Sequence, residues 1–292
     1  MRLLCYKSRL MLYSIILLIM IIFVVVMRIN YFNPKSAIVY YGNNPNYKVL
    51  DSFDISIVES GHINSGDIEF QKYKKKMFAY VSIGEVEKNR SYYQEIKKEW
   101  ILGENRLWKS KLLNLSNRDY QNFLIDNVIG SLIKDGYENF FFDTVDSYHL
   151  LSLNDKLRDK YENDIVIFLK HLKTKYPNIK IILNRGFEII DRVYPYIDGV
   201  LFESLFCGLN NKTLAYRDIP PKDREWLLGK VKNIQSYKLF VIALDYLPPN
   251  QDKKAKNIIQ KIKALNIIPY IGEKDLQNIG ISTKGTSNAQ LH

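Results

Sequence analysis

The pattern of apolar and polar positions divides the chain into two regimes. Leu10–Met27 (LMLYSIILLIMIIFVVVM) holds no charge and is framed by Arg9 and Arg28. Wound as a helix at about 1.5 Å per residue, a run of that length reaches nearly across a bilayer core. A cleaved signal peptide would have a shorter apolar region ending in small residues; here Arg28-Ile29-Asn30-Tyr31-Phe32 follows. The pattern predicts an uncleaved signal anchor within residues 1–28, then a short linker over 29–36. Arg2, Lys7 and Arg9 precede the span, so the N-terminus is expected in the cytoplasm and the remainder outside the cell.

Beyond the linker, short apolar runs alternate with helix-length amphipathic segments. Eight strands are predicted: Ala37–Tyr41, Asp54–Glu59, Phe78–Glu85, a fourth opening on Phe140 (FFFD), Ile179–Asn184, Gly199–Ser204, Leu239–Tyr246 and Ile267–Ile271. Helical spacing marks Tyr47–Phe53, Asp67–Lys76, the stretch Tyr120–Ile133 stopped by Gly136, Asp164–Tyr176 closed by Pro177-Asn178, Pro220–Gln235 and Asp252–Leu265. Val86–Leu115 is too irregular for one helix and reads as an elaborated loop over the active face. Gly272–His292 turns polar, so a frayed tail is expected, with the domain ending near residue 275. Strands separated by helices over 37–275 are the signature of an α/β protein of the (β/α)8, TIM-like barrel type. A doubly wound sheet would carry a glycine-rich phosphate turn after an early strand; the chain has none.

Composition adds constraints rather than an answer. The chain is 47% apolar and 25% charged, an ordinary globular balance. Its formal charge is +11, with five basic and no acidic residues before Ser36. Lysine bursts such as Lys72–Lys76 fit nucleic acid in principle. On an outward-facing domain they better suit a solvated face near anionic lipid or wall polymer, and no nucleic-acid partner is expected. Cys5 and Cys207 fall on opposite sides of the predicted span, which leaves no disulfide framework. The four histidines (His62, His149, His171, His292) form no zinc pattern. No metal or cofactor is assigned, although an oxygen-ligated cation stays open. No GxSxG elbow occurs.

In a barrel of this type, chemistry sits at the C-terminal strand ends. Those ends carry Tyr41, Glu59, Glu85, Asp143, Asn184, Glu203, Asp245 and Tyr270. Singly, each acid suits a helix cap or an arginine partner. Gathered at one mouth they would be costly to bury without partners or a chemical role. Glycoside hydrolysis supplies that role, because one carboxyl protonates the leaving oxygen while a second attacks the sugar or activates water.

Tyr80–Glu85 (YVSIGE), Phe142–Tyr148 (FDTVDSY), Asn184–Gly186 (NRG), Glu203-Ser204-Leu205 (ESL) and Asp245-Tyr246 (DY) occur in this order. The whole resembles the endo-α-1,4-polygalactosaminidase-like glycoside hydrolases, in particular the hydrolase modules of Pel exopolysaccharide systems. Gly103–Trp108 and Trp226–Gly229 fit that version too, and the resemblance covers roughly Ala37 to Asp275. It implies internal cleavage of an α-1,4-linked, N-acetylgalactosamine-rich polymer. Asp143 matches the strand-four acid, expected as nucleophile or base, and Glu203 the strand-six acid, expected as proton donor. Glu85, Asp146, Asn184 and Asp245 would hold sugar hydroxyls and tune both acids. Tyr41, Glu59, Tyr148, Arg185, Tyr246 and Tyr270 complete the expected substrate-binding set.

The residues leave several points open. Asp143 and Asp146 compete for the strand-four role, and retention versus inversion depends on a carboxyl separation that sequence does not show. Gram-negative members resemble a hydrolase fused to a deacetylase. This chain is expected to act as an anchored, stand-alone hydrolase, as in Gram-positive Pel clusters, with an exopolysaccharide synthase complex as a further partner. A deacetylated polymer would be cationic, which sits awkwardly with a basic domain. The rival readings are a non-catalytic polysaccharide-binding barrel in an export complex and a glycosidase of another glycan.

Overall fold

A computed structural model describes residues 32–210, 212–282 and 285–286. Pro34–His292 forms one compact unit with its own core. Eight strands build it: β1 (Ala37–Tyr40), β2 (Ile55–Val58), β3 (Met77–Ser82), β4 (Asn139–Asp143), β5 (Lys180–Asn184), β6 (Gly199–Glu203), β7 (Phe240–Tyr246) and β8 (Ile268–Gly272). They lie side by side in chain order, each parallel to the next. β1 and β8 lie against one another, but no strand pairing joins them among the described residues. The result is an α/β barrel one seam short of closure.

The strands are apolar runs because a parallel sheet is covered on both faces. Phe140, Phe141 and Phe142 of β4 are all buried. The crossovers supply the outer layer. Asp155–Lys175 is opened by Asn154, whose side chain accepts from the Leu157 N–H, and it buries Ile165, Phe168, Leu169 and Leu172. It starts nine residues ahead of the predicted helix because its first turns carry mostly polar residues, which leave no period to read. Asp252–Lys263 buries Ala255, Ile258, Ile259 and Ile262. Ahead of β4, Arg118–Phe123 continues through a π-turn (Leu124–Ile129) into Gly130–Asp135, and Gly136 stops the run at φ 105°. That left-handed conformation favours glycine.

Two expectations are corrected. The segment after β3 is a folded sheet, not a loop: Glu85–Glu87, Ser110–Leu113 and Ile101–Asn105 pair antiparallel. Its strands are three to five residues long, and the longest, Ile101–Asn105, is half exposed, so no continuous apolar run announces them. The described residues beyond 275 do not form a frayed tail either. Ile281–Ser282 pairs antiparallel with β8, and Gly285–Thr286 pairs with it in turn. The Leu276 carbonyl accepts the Tyr41 N–H at 2.8 Å, bridging the open seam. Backbone hydrogen bonds and the buried Leu276 hold this edge.

No helix among the described residues is long and apolar enough to cross a membrane. The predicted span Leu10–Met27 lies outside them.

Candidate active site

Asp143, Asn184 and Glu203 end three adjacent strands, β4, β5 and β6. The middle residue ties the outer two. Asn184 Nδ2 donates to Asp143 Oδ1 at 2.8 Å and to Glu203 Oε1 at 3.3 Å. These contacts hold the two carboxyl oxygens within about 6 Å of each other. The partners of Asn184 lie 41 and 19 residues away along the chain, and consecutive parallel strands bring all three together.

The backbone turns sharply just beyond two of these ends. Thr144 has φ 61° and Arg185 has φ 62°. A β-branched residue in the left-handed region is strained, and such strain gathers at functional sites. Side-chain bonds hold Thr144 there: its Oγ1 lies 2.9 Å from Ser82 Oγ and accepts the Gly84 N–H at 2.9 Å. The Thr144 N–H in turn donates to Asp143 Oδ1 at 2.7 Å. A Cβ at Gly84 would collide with the Thr144 carbonyl, so only glycine allows this approach. The Glu203–Ser204 peptide is cis.

Three tyrosines complete the centre. Tyr80 donates to Asp143 Oδ2 at 2.7 Å, and Tyr246 donates to Glu203 Oε2 at 2.7 Å. Tyr41 packs edge-on against Tyr80, with ring centroids 5.3 Å apart. Burial raises the Tyr41 hydroxyl pKa well above its ordinary value, followed by the charges of Asp143, Glu203 and Glu59. It therefore remains a neutral donor among acids. Burial also pushes the Glu203 carboxyl up to about 7, with the Asp143 charge adding to it. The hydrogen bonds from Tyr246 and Asn184 pull it partly back.

The other expected residues separate into rim and support. Glu59 accepts from Arg90 Nη1 at 2.8 and 2.9 Å, and the Arg90 guanidinium lies 5.1 Å from the Tyr80 ring centroid. Asp146 pairs with Arg185 Nε at 3.0 Å, one turn outside Asp143, and burial still raises its carboxyl. Arg185 in turn covers Phe187 at 5.3 Å, and Phe187 meets the exposed Trp226 edge-on at 5.7 Å. Phe187 is buried, so of this pair only Trp226 offers its ring to solvent.

Four predicted substrate contacts are placed elsewhere. Asp245 is fully buried, and its carboxylate accepts the N–H groups of Leu205, Phe206 and Cys207 at 2.6, 2.8 and 2.9 Å. Neighbours on a strand point to opposite faces. Since Tyr246 reaches Glu203, Asp245 faces away and holds the loop after β6. Burial pushes its carboxyl up to about 6 despite those three bonds. Glu85 belongs to the inserted sheet, where Asn105, Ser110 and Ser147 enclose it. Tyr148 donates to Glu162 at 2.9 Å, and Arg192 meets the same carboxylate, outside the strand ends. Tyr270 lies inside β8 with its hydroxyl on the Gly280 N–H at 2.8 Å. Among the described residues, no three His, Cys, Asp or Glu side chains gather in a metal-holding arrangement.

Sequence reasoning missed Tyr80 and Arg90 as site residues. Tyr80 was legible: two residues before the strand end, it shares a face with Ser82. Arg90 carried no signal, because its partner Glu59 lies 31 residues away. Arg90→Leu is expected to leave Glu59 unpaired and loosen Tyr80, lowering kcat about tenfold and the melting temperature with it. Steady-state kinetics on an oligosaccharide check this.

Paired acids at the mouth of a (β/α)8 barrel, one of them raised by burial to about 7, are the arrangement that glycoside hydrolysis uses. The chain belongs to glycoside-hydrolase family GH114, whose model matches residues 29–288. It is similar to the glycoside hydrolase domain of PelA from Pseudomonas aeruginosa, at 25% identity and TM-score 0.78, covering 86% of this chain and 99% of that one. The Aspergillus fumigatus Ega3 complex with galactosamine shares the fold, at 16% identity and TM-score 0.63, over 85% of this chain and 96% of that one. An uncharacterized protein of Methanocaldococcus jannaschii is 23% identical over 74% of this chain and 67% of its own length.

Proposed function

We propose that the protein is a membrane-anchored, outward-facing endo-hydrolase of α-1,4-linked galactosamine and N-acetylgalactosamine polymer. Asp143 is the nucleophile and Glu203 the acid and base. The single observation that carries the assignment is the Asn184 bridge, which keeps one oxygen of each acid within about 6 Å of the other, short of the roughly 6.5 Å or more of inverting enzymes, and so supports a retaining reading. Asp143, rather than Asp146, takes the nucleophile's role because it lies on this bridge. Asp146 is committed to Arg185.

The chemistry of the substrate requires such a nucleophile. In an α-linked hexosamine the leaving oxygen and the C2 nitrogen are cis. An acetamido group at C2 therefore cannot attack C1 from the opposite side, and substrate assistance is closed. In the first step Glu203 gives its proton to the leaving oxygen as Asp143 forms a bond to C1. In the second, Glu203 takes a proton from water as water displaces Asp143. Tyr80 and Asn184 stabilise the Asp143 carboxylate with hydrogen bonds between turnovers and hold it in line. The similarity to the PelA domain and to the galactosamine-bound Ega3 fold supports the galactosamine class. The uncharged Leu10–Met27 run supports the anchor.

The acid must be protonated to act, so kcat/KM is expected to fall tenfold per pH unit above about 7. Tyr246→Phe removes a hydrogen bond that favours the ionised form, so the same limb moves to higher pH. A pH profile on a soluble oligosaccharide reads both. Digestion of a panel of defined oligosaccharides, with products identified by mass, tests the substrate. Cleavage of an α-1,4-galactosamine oligomer is the expected result, and cleavage only of other glycans would remove the assignment.

A further inference from the structure

We propose that the end of the barrel opposite the mouth is a docking face for an anionic lipid bilayer, an inference that rests on the anchored reading above. Every helix-to-strand turn of this fold lies at that end. Five of the seven carry an exposed lysine: Lys75 before β3, Lys134 before β4, Lys175 before β5, Lys238 before β7 and Lys263 before β8. Most acids at this end are engaged internally. Asp54 accepts the N–H groups of Lys35 and Ser36 at 2.8 and 3.0 Å, and Asp198 accepts that of Ile181 at 2.9 Å. Asp51 pairs with Lys76 at 3.7 Å. Asp126 meets Lys175 at 2.5 Å, and Asp135 and Glu138 remain exposed. Among the residues named, five exposed lysines stand against three exposed acids, Asp126, Asp135 and Glu138.

Aromatic rings share this end. Tyr194 and Tyr237, in the turns before β6 and β7, stack with centroids 4.6 Å apart, and Tyr194 is 42% exposed. Lys72 lies 4.8 Å from the Tyr73 ring, and Lys175 lies 5.5 Å from that of Tyr176. Tyrosine beside lysine is the composition of a membrane–water interface, where rings sit at headgroup level and ammonium groups meet phosphate.

The path of the chain suits the same face. β1 starts at this end, and only residues 28–36 separate Leu10–Met27 from it. Fully extended, that connector reaches at most about 30 Å. A connector of that length is enough for the lysine end to reach the headgroups, and Asp143 and Glu203 lie at the opposite end of the barrel. This also eases the conflict between a basic domain and a cationic polymer, because the lysines and the paired acids occupy opposite ends.

The test is sedimentation of Pro34–His292, the compact unit, with phosphatidylglycerol-containing vesicles or with pure phosphatidylcholine vesicles. Binding to the first alone, reversed by high salt, is expected. Each of Lys75→Gln, Lys134→Gln, Lys238→Gln and Lys263→Gln should lower the partition coefficient about fivefold. The quadruple variant should lose binding while cleaving soluble oligosaccharide at the wild-type rate. Equal binding by the quadruple variant, or no preference for the anionic vesicles, would overturn the proposal. Carbonate extraction of the full chain reports on the anchor separately, and vesicle binding by the domain decides the face whichever way that result falls.

Discussion

Asp143→Asn is expected to lower kcat/KM on a galactosamine oligomer by at least about 10⁴-fold, because no other carboxylate on the Asn184 bridge can attack C1. Glu203→Gln should cost about 10²–10⁴-fold, and less for substrates whose leaving group needs no proton. Glu203→Gln also carries a built-in folding control. The folded carboxyl titrates near 7 against an ordinary 4.5, so the folded state binds the proton more tightly than the unfolded chain does. Its stabilising contribution is complete below pH 4.5 and lost as pH rises through 7. The amide removes that loss. The variant should therefore melt higher than wild type at pH 8, by a free energy on the order of 3 kcal/mol at most, with little difference at pH 4. Low activity together with raised stability at pH 8 separates a catalytic role from a structural one.

Asp245→Ala is expected to be the most destabilising of the conservative changes near the mouth. It deletes a fully buried carboxylate and leaves the N–H groups of Leu205, Phe206 and Cys207 without acceptors. Each orphaned donor costs about 1–3 kcal/mol, partly recovered by water or relaxation. A net loss of about 3–5 kcal/mol follows, read by urea unfolding. Activity should fall with it, since the segment released begins directly after Glu203. Asp245→Asn keeps one carbonyl acceptor, so it should lose less of both. Had Asp245 held substrate, the alanine variant would keep its stability and raise KM alone.

The contrast between these acids shows what the sequence could and could not tell. Parallel strands are buried on both faces, so FFFD and LFVIALDY stood out as apolar runs ending in acids. Asp143, Asn184 and Glu203 were legible for that reason: each ends a strand, and adjacent strands place them side by side. An acid at a strand end looks the same whether it faces the mouth or a loop. The alternation of Asp245 with Tyr246 held the answer, and only the Tyr246–Glu203 bond decides which of the two points inward. Glu85 was misplaced because β3 stops at Ser82 and the chain enters a separate sheet. That sheet and the strand at Ile281–Ser282 are segments of two to five residues paired through their backbones, too short to leave a periodic signal. Arg90 is invisible for a related reason, since a cation beside Glu59 and Tyr80 exists only once three distant segments meet.

The most direct measurement is peptide mapping of Glu203→Ala protein quenched during turnover of an activated aryl α-galactosaminide oligomer. Without its acid and base, the enzyme still forms the first bond to such a leaving group but releases the sugar slowly. A hexosamine-oligomer adduct on the peptide containing Asp143, and specifically on that side chain, is the predicted result. An adduct on Asp146, or steady release of inverted sugar with no adduct at all, would contradict it.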